Sequence, residues 1–256
     1  MLQFLLWLIL VFPAQNNVQI NQIHDFISVD YLGNIFAVNK CELIEFNSKG
    51  EKLAVFSNSM LGSIRHIDVS NPLRILVFYD DFNQILFLDR NLAEIGSEID
   101  LFAFSDNETE LVCSSANGGF WIYNSDDNQA IHISENGKII NQSILMNTFY
   151  QNCIPDKMLE YNNDLYFLYP EMGILNLDRN GQFKRKISLP GIKNFQISKN
   201  TLLYTTESGI YSFQPMAKED KLIFNLKDSK DAQLTIQSNN LYVSNKKSIS
   251  IKVLTL

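Results

Sequence analysis

The chain is poor in the residues that usually announce chemistry. Its 256 residues hold three cysteines and three histidines. Cys41, Cys113 and Cys153 stand far apart with no CxxC spacing, which excludes a disulfide framework and a zinc or redox motif and leaves room for one bridge at most. Cys41 and Cys113 fall in or beside apolar runs, where a thiol behaves as a small hydrophobe, whereas Cys153 falls in a loop and is the reactive candidate. His24, His66 and His132 form no ligand-spaced pair. Positive charge is scarce as well: 21 Lys and Arg against 28 Asp and Glu give a net charge of -7. That excludes a nucleic-acid partner, because phosphate contacts need clustered cations. The one basic run, FKRKI at 183–187, alternates like the solvated face of a strand. Glycine-rich phosphate loops are missing; SANGG at 115–119 is a hairpin turn.

Long apolar runs are missing too, apart from Leu2 to Phe12, which Pro13, Ala14 and polar residues follow. Eleven residues are too few for a transmembrane helix and suit the hydrophobic region of a secretory signal. The expectation is a signal peptide over 1–16, an exported (periplasmic or extracellular) protein, and no stable membrane span in the mature chain. No Lys or Arg precedes the run, and Phe12 is large for its place before a cleavage after Ala14. An uncleaved anchor, a truncated start and a buried first strand are the competing readings.

What is present is a repeat. Six segments align on one strand: NIFAVN from Asn34, RILVFY from Arg74, GFWIYN from Gly119, DLYFLY from Asp164, TLLYTT from Thr201 and NLYVSN from Asn240. The offsets are 40, 45, 45, 37 and 39 residues. Each segment continues through a short turn into another alternating strand, such as ELIEFN, QILFLD or GILNLD. In five of the six a polar turn and a fourth strand follow, as in NSKGEKLAVF and DRNGQFKRKISL. The turns carry Asn, Asp, Ser and Gly, the residues that supply positive φ and local hydrogen bonds. Each repeat is a four-stranded antiparallel meander, and four strands in about 40 residues make the blade of a β-propeller.

The fold expected is therefore all-β, a single six-bladed propeller over 17–256 with blades near 26–57, 65–101, 109–144, 158–189, 195–226 and 232–254. After SISIKVLTL the last blade lacks a fourth strand, and NVQINQI at 17–23 is placed to supply it and close the ring. A solenoid needs polar end caps, and a β-sandwich does not explain a period kept six times. Stretches such as DYLGNIFAVNKCELIEFNSKGEKL and NNDLYFLYPEMGILNLDRNGQF resemble six-bladed propellers of the NHL-repeat and gluconolactonase-like type. Lactonases of that type imply a divalent cation in the channel, held by Glu, Asn and Asp. Their acidic residue at the start of the first blade and their Asn-Asp and Ser-Pro-Asp stretches are not recognisable here.

No catalytic, metal or cofactor residue is assigned, and no cofactor is implied. Candidate binding residues come from the turns that join second and third strands, which emerge together on one face of a propeller. Asp80, Asp81, Asp126, Asp127, Glu171 and Glu207 make that face acidic over blades two to five; Lys40, Lys246 and Lys247 make it basic over blades one and six. His66, beside Arg65 at the entry to blade two, is the one histidine placed to face the channel, and both residues are counted with this binding face. The longest break in the period, 144–158, brings Met146, Phe149 and Tyr150 to the same face, either as an interface or as a plug. The expectation is an exported, non-enzymatic propeller, monomeric on its own, that binds a protein or a cell-envelope component. A metal-dependent lactonase or hydrolase acting on a small molecule in the channel is the rival.

Overall fold

The structure, a computed structural model, describes residues 18–150, 153–198, 201–214, 219–225 and 233–253. The expected signal segment lies outside the described residues. Chain reversals are set by one recurring device. Asn47, Asp89 and Asp178 each turn a side-chain oxygen back onto the backbone N–H groups two and four residues on, at 2.8–3.0 Å. The fourth residue of each turn takes positive φ, Gly50 at 84° and Gly181 at 71°, while Leu92 does the same without glycine at 61°. These turns join third to outer strands and fix the hairpin register.

The strands assemble into six antiparallel sheets of four. Blade one is Phe26–Val29, Ile35–Asn39, Glu42–Phe46 and Lys52–Ser57. Blade two is Ile64–Asp68, Ile75–Tyr79, Gln84–Leu88 and Glu94–Asp100. Blade three is Leu111–Ser114, Phe120–Asn124, Gln129–Ile133 and Ile139–Gln142. Blade four is Lys157–Tyr161, Asp164–Tyr169, Gly173–Leu177 and Phe183–Ser188. Blade five is Asn194–Ser198, Thr201–Thr205, Gly209–Gln214 and Glu219–Asn225. Blade six has Gln233–Gln237, Asn240–Ser244 and Ile249–Val253, and Val18–Ile20 pairs with the last of these in antiparallel register, Val18 opposite Ile251. The chain is a six-bladed β-propeller closed by its N-terminal strand, as the period and the missing fourth strand predict.

Burial explains why the second strands are near-continuous apolar runs. They are sandwiched between neighbouring blades, so both faces need apolar side chains. In Ile75–Tyr79 every residue is buried. Ile75, Val77 and Tyr79 pack toward blade one, and Leu76 and Phe78 toward blade three. The same division gives one apolar cluster at each of the six blade junctions. The outer strands bury little; Glu94–Asp100 is exposed at nearly every position. A register shift separates third and outer strands in all five blades built from consecutive chain, which sharpens the twist there. Trp121 packs in the blade three–four core, stacked on His132 with centroids 4.5 Å apart.

Candidate functional site

The inner strands leave one backbone edge facing the axis, where no further strand pairs with it. They enclose a channel of about 1270 Å³ lined from blades one, two, four, five and six. Side chains from neighbouring inner strands meet the open edges instead. Asp68 of blade two accepts from the Ser114 N–H of blade three at 2.8 Å. Glu160 of blade four accepts from the Ala116 N–H and the Trp121 indole of blade three, both at 2.8 Å. Lys157 of blade four donates to the Asn194 side chain and the Phe195 carbonyl of blade five, both at 2.8 Å. Gln196 of blade five accepts from the Ile236 N–H at 3.3 Å, and Gln233 of blade six holds both backbone groups of Ile27 in blade one. A buried backbone donor without a partner is costly, so these groups stabilise the ring as well as line it.

One charged cluster sits where the channel opens onto the face of the second-to-third turns. Burial holds the His66 imidazole down to about 4; Asp68 opposes this, and Lys157 and Arg65 reinforce it, so the ring is neutral at pH 7. Burial likewise lowers the Lys157 ammonium to about 8, against the attraction of Asp68. Further out, Arg65 meets Asp80 at 3.7 Å and Lys193 meets Glu207 at 3.3 Å, with largely exposed side chains in both pairs.

The structure brings the turns of the expected face together through a repeated hydrogen bond. In five of the blades the connection that leaves the blade donates a backbone N–H to a carbonyl of the second-to-third turn: Ile64 to Lys40, Leu101 to Asn83, Met146 to Asn128, Gly191 to Pro170 and His24 to Lys246. Lys40, Asp80, Asp81, Asp126, Asp127, Glu171, Glu207, Lys246 and Lys247 are all exposed there. Their roles differ. Asp80 and Glu207 have the basic partners just described, which dilutes the acidic field. Asp81 accepts from the Ser63 N–H at 2.9 Å and so fixes the connection into blade two.

The part of the 144–158 connection that carries Met146, Phe149 and Tyr150 packs against blade four instead of entering the channel. Among its described residues, Met146 is fully buried and Tyr150 is 8% exposed, both in the core between blades three and four. Phe149 stacks on Phe183 at 4.7 Å, and Lys186 lies over both Phe149 and Tyr150. Residues 144–150 and 153–155 line no part of the channel. Cys113 is buried in the same core and Cys41 is half-buried.

Sequence reasoning missed Lys157, Asp68, Glu160 and Gln196. The available signal was the polarity of first strands: IRHID, KMLEY, NFQIS and QLTIQ interrupt their apolar residues where second strands do not. A divalent cation, as the lactonase resemblance implies, finds no convergent ligand set. Both oxygens of Asp68 and of Glu160 are taken by N–H donors. Among the described residues no group of three His, Cys, Asp or Glu side chains is arranged to hold a metal.

No protein-family model matches the sequence, and no curated protein does either. Solved structures do match. The chain is similar to virginiamycin B lyase from Staphylococcus aureus at 12% identity and a TM-score of 0.63, covering 92% of this chain and 98% of that one. It is similar to BamB from Moraxella catarrhalis at 13% identity and a TM-score of 0.52, covering 92% and 84%. A third match is the extracellular domain of a two-component system of B. thetaiotaomicron, at 12% identity and a TM-score of 0.58, covering 93% of this chain and 39% of that one. The likeness is one of fold. One propeller scaffold hosts many functions, so the site must carry the functional argument. Among the described residues no helix is long and apolar enough to cross a membrane.

Proposed function

We propose that the chain is an exported, non-enzymatic β-propeller that binds a protein or a cell-envelope component through the face carrying the second-to-third turns and the blade connections. The observation that carries this reading is where large apolar side chains are exposed. On that face stand Ile23, Met60, Phe82, Phe102, Ile154 and Met172, with Met60 85% exposed. The opposite face exposes Tyr31, Leu32 and Leu73. Apolar anchors ringed by charged turns have the composition of a protein interface, with Lys40, Asp126, Asp127, Glu171, Lys246 and Lys247 as its polar rim. The rim charges steer encounter more than they hold the complex. Export is supported by the Leu2–Phe12 run, and an extracytoplasmic setting by the likeness in fold to an extracellular domain.

The test is affinity capture from native envelope extracts with wild type, a Met60→Asp/Phe82→Asp/Phe102→Asp variant and a Tyr31→Asp/Leu73→Asp variant. A saturable partner lost with the first variant and kept with the second supports the proposal. A partner set indifferent to both variants, or no partner at all, removes it. Point changes are preferable to deleting the 144–158 connection, because that segment holds part of the core.

A further inference from the structure

Resting on the proposal that this face binds a protein, we infer that its docking site lies over blades two and three and that the occupant is a basic amphipathic segment of another protein, in which Lys or Arg flank large apolar residues.

Hydrogen bonds tie several stretches of chain into one surface here. The blade two turn at 80–83 is held from both sides. Asp81 accepts from the Ser63 N–H of the connection entering the blade at 2.9 Å, while the Asn83 carbonyl and side-chain oxygen accept from the Leu101 and Thr109 N–H groups of the connection leaving it, at 3.0 Å each. That second connection is joined in turn to the blade three turn: the Asn124 side chain donates to the Glu108 carbonyl at 3.0 Å, and Ser125 donates to the Glu110 carboxylate. Met60, Phe82 and Phe102 stand out from this surface, 85%, 54% and 48% exposed. Two of them ride on capped backbone, because Asn58 accepts from the Met60 N–H at 3.1 Å and Asp100 from the Phe102 N–H at 3.0 Å. Anchors held this way lose little freedom on binding.

Charge decides what covers them. The stretches 58–63, 80–83, 100–110 and 124–128 carry eight exposed carboxylates and no Lys, Arg or His. Arg65, at the margin, is already paired with Asp80. The whole chain has a net charge of -7, so this one patch holds the entire excess and the rest of the molecule is near neutral. A field so localised selects the sign of its occupant. It repels an anionic membrane, and a second copy in two-fold contact would bring the same sign against it. Metal binding does not account for the acids: Asp81 and Asp100 already accept backbone N–H groups, and among the described residues no three His, Cys, Asp or Glu side chains are arranged to hold an ion. A basic amphipathic segment answers both features, since Lys and Arg stems cover the aromatic rings while their heads reach the carboxylates. Lys40, Lys246 and Lys247, on the turns of blades one and six, keep it on the acidic half of the face.

The experiment selects random peptides of about 16 residues, displayed on phage, against the full chain. Enriched sequences are expected to be net basic, with Lys or Arg beside Phe, Leu, Ile or Trp, and synthetic copies should bind more weakly as NaCl rises from about 0.05 to about 0.5 M. Asp106→Lys/Asp126→Lys/Asp127→Lys should weaken them about 10-fold or more, and so should Phe82→Ser/Phe102→Ser, whereas Lys246→Glu/Lys247→Glu should not weaken them. Far-UV circular dichroism checks the fold of each variant, and the single phenylalanine changes serve if the pair does not fold. Neutral or acidic winners, no winners at all, or binding that survives the charge reversal overturns the inference. Loss on charge reversal with none on removing the phenylalanines overturns it too, because that is a diffuse counter-ion effect. The two readings fail separately: a native partner lost with Met60→Asp/Phe82→Asp/Phe102→Asp but kept by the charge-reversed variant leaves the binding face standing and removes the basic segment.

Discussion

Gln233 grips Ile27 across the seam where the ring closes. Its side-chain oxygen accepts from the Ile27 N–H at 3.1 Å and its nitrogen donates to the Ile27 carbonyl at 3.2 Å. The amide thus imitates a missing strand at the open edge of blade one, a role that needs both a donor and an acceptor. Gln233→Ala is expected to cost about 1–2 kcal/mol in urea unfolding. Gln233→Glu should recover no more than half, because a carboxylate cannot donate to the carbonyl.

Glu45 is 4% exposed between blades one and two, and its carboxyl accepts no hydrogen bond from the described residues. Burial, with the nearby Asp30 carboxylate, raises it from 4.5 to about 7. Between those values the folded chain keeps a proton that the unfolded chain has lost. Stability therefore falls as pH rises through that window and levels off above it. Glu45→Gln should be more stable than wild type at pH 8, by on the order of 2 kcal/mol, with the gap closing toward pH 4.5. Urea midpoints of both proteins across that range check the sign.

Gly119 and Gly96 share a left-handed backbone, with φ of 77° and 78°, in different surroundings. A Cβ on Gly119 would lie 1.9 Å from the Ile133 carbonyl oxygen, which is fixed in the blade three sheet, whereas one on Gly96 meets nothing within 4 Å. Gly96→Ala should cost about 1 kcal/mol, the price of the backbone conformation alone. Gly119→Ala should cost roughly 3 kcal/mol or more, because the sheet must part. Equal melting temperatures for the two variants would contradict this contrast.

Asp81 and Asp126 occupy equivalent turns and do different things. Asp81 anchors the Ser63 N–H, and position 62 calls for glycine because a Cβ there would meet the Asp81 carboxylate at 2.2 Å. Asp81→Ala is expected to destabilise by about 1 kcal/mol. Asp126→Ala should stay within about 0.5 kcal/mol of wild type. Charge reversal at Asp126 and Asp127 thus probes the rim of the proposed interface without a change of fold, read out as a salt-dependent association rate.

Much of the architecture was legible in the chain because a propeller repeats its constraints. Every second strand is buried on both faces, so RILVFY, GFWIYN and DLYFLY show the same apolar run at nearly the same spacing. Three of the third-to-outer turns satisfy their own backbone through a side chain, so Asn47, Asp89 and Asp178 mark them within a few residues. The unpaired edge of blade six followed from counting strands, and Val18–Ile20 fills it. These are local requirements, and local sequence meets them.

What only the tertiary structure decided are contacts between residues far apart in the chain. Met146 and Tyr150 are as apolar as an interface needs, yet they lie in the core because blade four offers Phe167, Tyr169 and Leu175 against them. Asp80 reads as a free acid until Arg65 is folded beside it. Lys157 is one lysine among many until Asn194 and Phe195, 37 and 38 residues on, accept two hydrogen bonds from it. Sequence determines which strands form and how many blades close. The direction of each side chain at a junction depends on what the neighbouring blade presents, and that is fixed only when the ring is complete.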